Sequence, residues 1–543
     1  MILNRRVILI LLGVVAGVLI SINPSTPLSR AQPGKLPAQT KTDQRGLSAE
    51  EKRGKAFYLR GESSSGQEIT ALVGEIDVPA ATMTCAGCHG ARGEGKTEGG
   101  VTAGNLTWSY LTKPYGHSDD GGRKHPAFSE VSFIRTVTSG IDPAGNKVSV
   151  AMPTYRMPQQ DMADLVAYLK RIETDSDPGI TETSIVIGTL LPDKGALADL
   201  SQSMREVLLA YFAEINSRGG IYNRKIELRV VPGEATTTLA NMKHLIEDEQ
   251  VFALVGGLTA GADDRVATLS QEAEVPLIGP STLLPQRSLP LNRYVFYLLP
   301  GLKEQARTLV NFAGKKMDPQ KRRAAILSPD ADLNRQIASS IEDQLKKHSW
   351  NSVSGIYYPR ESFNAAQKVA AMKEQGIDTV FLLGSSADAG ALFKEAEAAS
   401  WTPSIYLLGS LVGRDITDIV PVKMKDKIFL AFPTVPGDVS EAGAAEYSAL
   451  LEKYKLRSAH AAAQASALAA AKVLVHALEL AGKNLSRERL VTTLEGLYEF
   501  DTGLMPRITF GPNRRIGALG AYIVTIDPEK KLFPASVEWV AAD

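Results

Sequence analysis

The sequence predicts a multidomain chain: a small all-α domain followed by a two-lobed α/β domain. Three observations carry this. A C-x-x-C-H motif, Cys85-Ala86-Gly87-Cys88-His89, sits among short helical patterns in the first third. From about residue 183, strand-like runs alternate with amphipathic helices, pause at Tyr294 to Leu299, and start again at Ala324. The length of 543 residues exceeds what one core of roughly 100–200 residues holds. The expected divisions are an N-terminal segment 1–31, a linker 32–46, the helical domain 47–174, a second linker 175–182, and the α/β domain 183–543.

Composition excludes several classes. With 44% hydrophobic and 22% charged residues the chain is neither disordered nor collagen-like. Sixty basic residues balance sixty acidic ones, so no overall field gathers nucleic acid or an anionic membrane. The two cysteines stand three positions apart, which rules out a disulfide-stapled scaffold.

At the N-terminus, Arg5 and Arg6 precede an apolar run from Val7 to Ile22. As a helix this run reaches roughly 24 Å, short of the ~30 Å hydrocarbon core. With Ser29-Arg30-Ala31 following, it fits a secretory signal. A thinly spanning, uncleaved anchor is the alternative, and it would tether the chain to the cytoplasmic membrane. Either way the remainder is expected outside that membrane, in a periplasmic space. Residues 32–46 are polar and contain Pro and Gly, as a tether does.

The C-x-x-C-H motif is the signal for covalent c-type haem. Two thiols one helical turn apart, Cys85 and Cys88, can add to the two vinyl groups, and His89 then meets the iron. A thioredoxin-like dithiol would need a βαβ setting that Pro79 to Thr84 and the glycine-rich stretch after them do not supply. A zinc site would need two further ligands near by. One covalent haem c is therefore expected. Its second axial ligand is open to several residues: Met152, Met157, or His117 and His125 in the polar loop HSDDGGRKH. Met162 falls inside a helical pattern and reads as packing.

The segment 47–174 resembles the class I c-type cytochromes. Met152 in A-M-P-T-Y, ahead of the helical pattern Gln159 to Ile172, matches that family's ligand loop and last helix. The resemblance makes Met152 the expected iron ligand. Ser48 and Glu51 form a capping box for a first helix whose Gly54-x-x-x-Tyr58 resembles the family's, where glycine permits a close crossing with the last helix near Tyr168. Glu98 to Tyr110 is similar to the loop under the haem edge, and Ser132 to Asn146 to the family's short helix and turn. Residues 61–82 form an inserted, polar connection between the first helix and the attachment motif, longer than the minimal family pattern.

The C-terminal part resembles the type I periplasmic binding proteins, in particular the branched-chain amino-acid (leucine-binding) receptor group. The resemblance rests on Ile215–Leu228, Ala253–Gly261, Glu274–Thr282 and Arg293–Ala313. In those receptors a ligand carboxylate is held at two loops of the first lobe, here Gly256–Gly261 and Pro280–Pro285. That implies Thr259, Ser281 and Thr282 as ligand-binding residues. Ala260 and Leu283 stand where amino-acid binders usually carry hydroxyls, which argues against a free α-amino acid as ligand. Turn and helix-cap chemistry is the competing account of the same three residues.

The leading functional expectation is an exported monohaem electron carrier, not an enzyme. Its binding domain would sense an unknown small molecule or dock a periplasmic redox partner such as a dehydrogenase. The alternative is a solute receptor of a branched-chain amino-acid-type ABC transporter with an appended cytochrome module. A haem enzyme such as a peroxidase would need an open axial position. No P-loop or H-E-x-x-H occurs, and His244, His348, His460 and His476 each stand alone in a helical pattern.

Overall fold

A computed structural model describes residues 47–543 apart from 119–121, 288, 351–352, 414 and 534–536. The expected signal or anchor and the tether after it lie outside the described residues. The described chain divides into two compact units, one ending at Asp177 and the other beginning at Pro178. The expected linker 175–182 is tied into them: Lys55 pairs with Asp175 at 2.8 Å in the first unit, and Ile180 bridges Ile185 in the second.

The first unit is built on five helices, α1 (Ala49–Arg60), α2 (Cys85–His89), α3 (Trp108–Leu111), α4 (Glu130–Ser139) and α5 (Gln159–Leu169). Ser48 caps α1: its hydroxyl accepts from the Glu51 N–H while the Glu51 carboxylate accepts from the Ser48 N–H at 2.7 Å. Helix α1 crosses α5 at Gly54, where an added Cβ would lie 1.9 Å from the Asp164 carbonyl oxygen and 2.8 Å from Tyr168 Cβ. The crossing buries Phe57, Tyr58, Leu165, Tyr168 and Leu169, and the rings of Tyr58 and Tyr168 sit 5.7 Å apart. Arg53 adds a two-pronged bond to Asp164 at 2.7 and 2.8 Å.

Three small antiparallel sheets are added to this helical frame. The insertion 61–82 supplies a hairpin, β1 (Thr70–Val73) and β2 (Ile76–Pro79). The other two pairs are β3 (Lys96–Glu98) with β4 (Val101–Ala103) and β5 (His117–Ser118) with β6 (Lys124–His125). Strand β7 (Thr154–Arg156) completes the first sheet in the order β2-β1-β7, with Ala71 opposite Tyr155.

The second unit holds two lobes. The first lobe's sheet is wholly parallel, from β8 (Ser184–Thr189), β9 (Lys225–Val230), β10 (Ala253–Val255), β11 (Leu277–Ile278) and β12 (Val295–Phe296), in the order β12-β11-β10-β8-β9. The second contains β13 (Ala324–Pro329), β14 (Val353–Tyr358), β15 (Thr379–Leu382), β16 (Ser404–Leu408) and β17 (Ile428–Phe432), all parallel. Strands β18 (Gly520–Thr525) and β19 (Glu538–Ala541) extend it antiparallel. Between β17 and β18 the chain returns to the first lobe. There the alanine-rich helix Ala461–Ala481 packs into the core against Ile187, Met204 and Val255, the tight packing its small residues suggest. Ligands of such doubly wound sheets settle at the carboxyl ends of the strands, so the loops after β10 and β11 are the ones to inspect.

Candidate haem site and binding loops

The haem motif is folded as a single helical turn. The Thr84 side chain caps it, accepting from the Gly87 N–H at 3.2 Å, and the turn sets Cys85 and Cys88 one step apart on the wall of an open cavity of about 1100 Å³. His89 lies on the same wall, buried. Its Nδ1–H donates to the Gly104 carbonyl at 2.6 Å, which fixes the tautomer and leaves Nε2 with a free lone pair. Burial holds the His89 pKa below the usual imidazole range, against the opposing pull of the Gly104 bond. A neutral imidazole with one nitrogen anchored is the form that ligates a metal. Gly104 sits at the end of the β3–β4 hairpin, so the loop expected at the haem edge also orients the His89 ring.

Met152 lies on the wall of this cavity, half-buried, in a turn closed by its N–H to the Ser149 carbonyl at 3.0 Å. Met157 packs at the edge of the apolar core and is not part of the wall, and Met162 is buried within that core. Two thiols, a neutral imidazole and a thioether around a roomy cavity lined by Phe128, Phe133, Leu165 and Leu169 suit a covalently held haem c.

Two features were missed from sequence. Met83 also lines the cavity; its place two residues before Cys85 was the available signal. His125, which the sequence places in a polar loop, is buried. The β5–β6 pairing sets its ring 5.1 Å from that of His117 and 5.0 Å from Phe128. Both imidazoles line the haem cavity and an adjoining one of about 740 Å³. Each holds a backbone carbonyl, His125 through Nδ1 to Pro126 at 2.9 Å and His117 through Nε2 to Leu111 at 3.3 Å.

In the second unit the structure does bring Thr259, Ser281 and Thr282 together. Leu258 bridges Ser281, and the Ser281 N–H donates to the Gly257 carbonyl at 2.7 Å. The two threonine hydroxyls, however, converge on one internal carboxylate. Thr259 donates to Asp263 at 2.5 Å, Thr282 donates to the same oxygen, and Thr282 Oγ1 accepts from the Leu284 N–H at 3.0 Å. Asp263 begins the helix Asp263–Glu272, so these hydroxyls join two loops to a helix start. The isolated histidines have local partners: His244 with Asp248, His460 with Asp199, His348 with Asn311, and His476 stacked on Phe500. Among the described residues no group of three or more His, Cys, Asp or Glu is placed to hold a metal ion.

Comparison with known proteins matches both units. A family model described as periplasmic binding protein matches residues 184–531, and one described as cytochrome c matches residues 79–173. The chain is 25% identical over 229 residues to Leu/Ile/Val-binding protein homolog 7 of Brucella abortus, covering 40% of this chain and 57% of that protein. It is 22% identical over 254 residues to homolog 8 of the same organism, covering 43% and 62%. The chain thus spans less than two thirds of the length of these curated relatives. Its fold is similar to that of a branched-chain amino acid ABC transporter from Thermus thermophilus with bound valine, at TM-score 0.51, 14% identity, 67% coverage of this chain and 97% of that one.

Proposed function

This chain belongs to the periplasmic binding protein family and carries a cytochrome c domain ahead of its binding domain, and on that premise we propose that it works as an exported one-electron carrier whose binding unit senses a small solute. The observation that supports this most is the pinned His89: its Nδ1 is committed to Gly104 while Met152 stands in the same cavity. Cys85 and Cys88 would hold one haem by thioether bonds, with His89 and Met152 as axial ligands. The haem supplies reversible one-electron chemistry when bound. The chain's own work would be to hold His89 by its Nδ1 with Nε2 left for the iron, to offer Met152 as the second ligand, and to pack Phe128, Phe133 and Leu169 against the group.

The solute of the binding unit is read as something other than a free α-amino acid. Of the three hydroxyls expected to grip a carboxylate, two, those of Thr259 and Thr282, already serve Asp263. A site whose donors are satisfied internally gains little by exchanging them for a ligand's.

Two measurements test this reading on the haem-loaded chain. Met152→Ala removes the far-red sulfur-to-iron band of the ferric protein, lowers the potential and lets the ferrous form bind carbon monoxide, whereas Met157→Ala changes none of these. Retention of the band in Met152→Ala refutes the ligand assignment. A thermal-shift screen of neutral, acidic and aromatic solutes is expected to raise the second unit's transition, since a ligand at 100 times its Kd adds about 2.7 kcal/mol. No shift across such a panel refutes the solute sensor and leaves docking of a redox partner as the role of the binding unit.

A further inference from the structure

The insertion 61–82 closes on the segment that carries Met152, and it does so at two places. The first is a backbone ladder: β1 is the central strand of β2-β1-β7, with Thr70 opposite Arg156, Ala71 opposite Tyr155 and Leu72 opposite Thr154. Strand β7 begins two residues after Met152. Ala71 and Tyr155 are both buried, and the Tyr155 hydroxyl donates to the Met83 carbonyl at 2.5 Å, next to the attachment motif.

The second place is Asp161, in the first turn of α5. The residue is 3% exposed, and the insertion supplies donors to its carboxylate: Ser63 Oγ at 2.7 Å, the Ser64 N–H at 3.0 Å and Ser64 Oγ at 2.8 Å. A buried carboxylate that loses such donors has to be rehydrated or protonated, so this contact does not open freely. The stretch between Met152 and Asp161 is thereby held at both ends by one and the same inserted segment.

We propose that the insertion is a clamp for the sixth-ligand loop, with Ser63, Ser64 and Asp161 as positioning residues that keep the Met152 sulfur on the iron. The inference rests on the assignment of Met152 as axial ligand. Releasing the clamp frees one end of the ligand loop while the α1–α5 crossing, held by the close approach at Gly54 and the two-pronged Arg53–Asp164 bond and losing only a 3.4 Å bond from Ser64 Oγ to Asp164, keeps the helices in place. Methionine then leaves the iron for a larger fraction of the time, and the chain gains an open coordination position without losing its fold.

The test compares Ser63→Ala/Ser64→Ala with the parent in the haem-loaded full chain. Two signals are followed during heating, the ferric sulfur-to-iron band and the helical circular dichroism, together with carbon monoxide binding to the ferrous form. In the double variant the band disappears at a lower temperature than the helices melt, and carbon monoxide binds about tenfold faster as the methionine-off state gains population. Ser63→Thr/Ser64→Thr, which keeps both hydroxyls, restores the parent behaviour. Asp161→Asn keeps an acceptor and gives a smaller change in the same direction. Band loss and helix melting that shift together, with an unchanged carbon monoxide rate, overturn the clamp. If Met152→Ala keeps the band, the ligand assignment itself has failed, which is a separate result from a clamp that moves nothing.

Discussion

The haem cavity of the first unit and the strand-end loops of the second both gather the residue types their chemistry needs, but they use their polar atoms in opposite ways. His89 spends one nitrogen on Gly104, and the other is the one proposed to meet the iron. Thr259 and Thr282 spend their hydroxyl protons on Asp263, a residue of the same chain. A functional group is available only to the extent that its hydrogen-bonding capacity exceeds what the fold consumes. Covalent attachment demands fixed residue types at fixed spacing, which a sequence displays. A non-covalent site demands unspent donors, which only the packed structure displays.

The largest expected effect separates the units by stability. In Gly54→Val the new side chain meets the Asp164 carbonyl, 1.9 Å from the position of its Cβ, so the crossing helix backbones must shift apart. Overpacking of this kind costs about 3 kcal/mol. For a unit of this size that lowers the first calorimetric transition by roughly 10 °C. The second transition is expected to stay where it is. A matching shift in both transitions would show that the two units do not melt separately.

A smaller, pH-dependent effect follows from two carboxylates of the first unit. Burial opposes the ionisation of Asp164, but bonds from Arg53, Gln160 and Ser64 outweigh it and hold the pKa below the usual range. Asp142 behaves alike: burial opposes its charge, and Asn146, Ala144 and Arg123 favour it by more. For a carboxyl whose folded pKa is depressed, the stabilisation is full above the unfolded value, near 3.8, and drains away as pH falls through the folded value. The first unit's melting temperature therefore falls below about pH 4. Asp164→Asn flattens that fall while lowering stability at neutral pH. A slope unchanged in Asp164→Asn would assign the acid sensitivity to other groups.

What the sequence made legible was local or tied to a motif. Ser48 with Glu51, Gly54 with Tyr58, the Cys85–His89 turn and the place of Met152 on the cavity wall could all be read within short windows. The alternation of strands and helices likewise exposed the doubly wound unit. The insertion 61–82 was opaque because its partner, β7, lies about eighty residues on and carries no motif of its own. His125 looked like a loop residue because burial came from a two-residue ladder with His117, too short to leave a pattern. The return of Ala461–Ala481 to the first lobe was hidden for a similar reason: its composition announces tight packing, not which sheet it packs on. Asp263 escaped notice as an ordinary acidic residue in a helix's first turn, where the favourable dipole already accounts for it.

That aspartate gives the finest test of the comparison. Thr259→Val removes one bond to a charged acceptor and is expected to cost about 1.5 kcal/mol in the second transition. Thr282→Val loses a bond to the same carboxylate oxygen and its hold on the Leu284 N–H as well. Because the two hydroxyls share Asp263, the double variant is expected to depart from the sum of the single ones. The haem spectrum is a check that the first unit is untouched. Any solute found to raise the second transition should do so equally in Thr259→Val, since a hydroxyl committed to Asp263 has no proton to offer it. If instead Thr259→Val keeps the melting temperature and abolishes the solute's effect, the hydroxyl turns to the ligand when one is present. The strand-end loops would then work as the haem cavity does, with an internal bond that holds a group ready instead of consuming it.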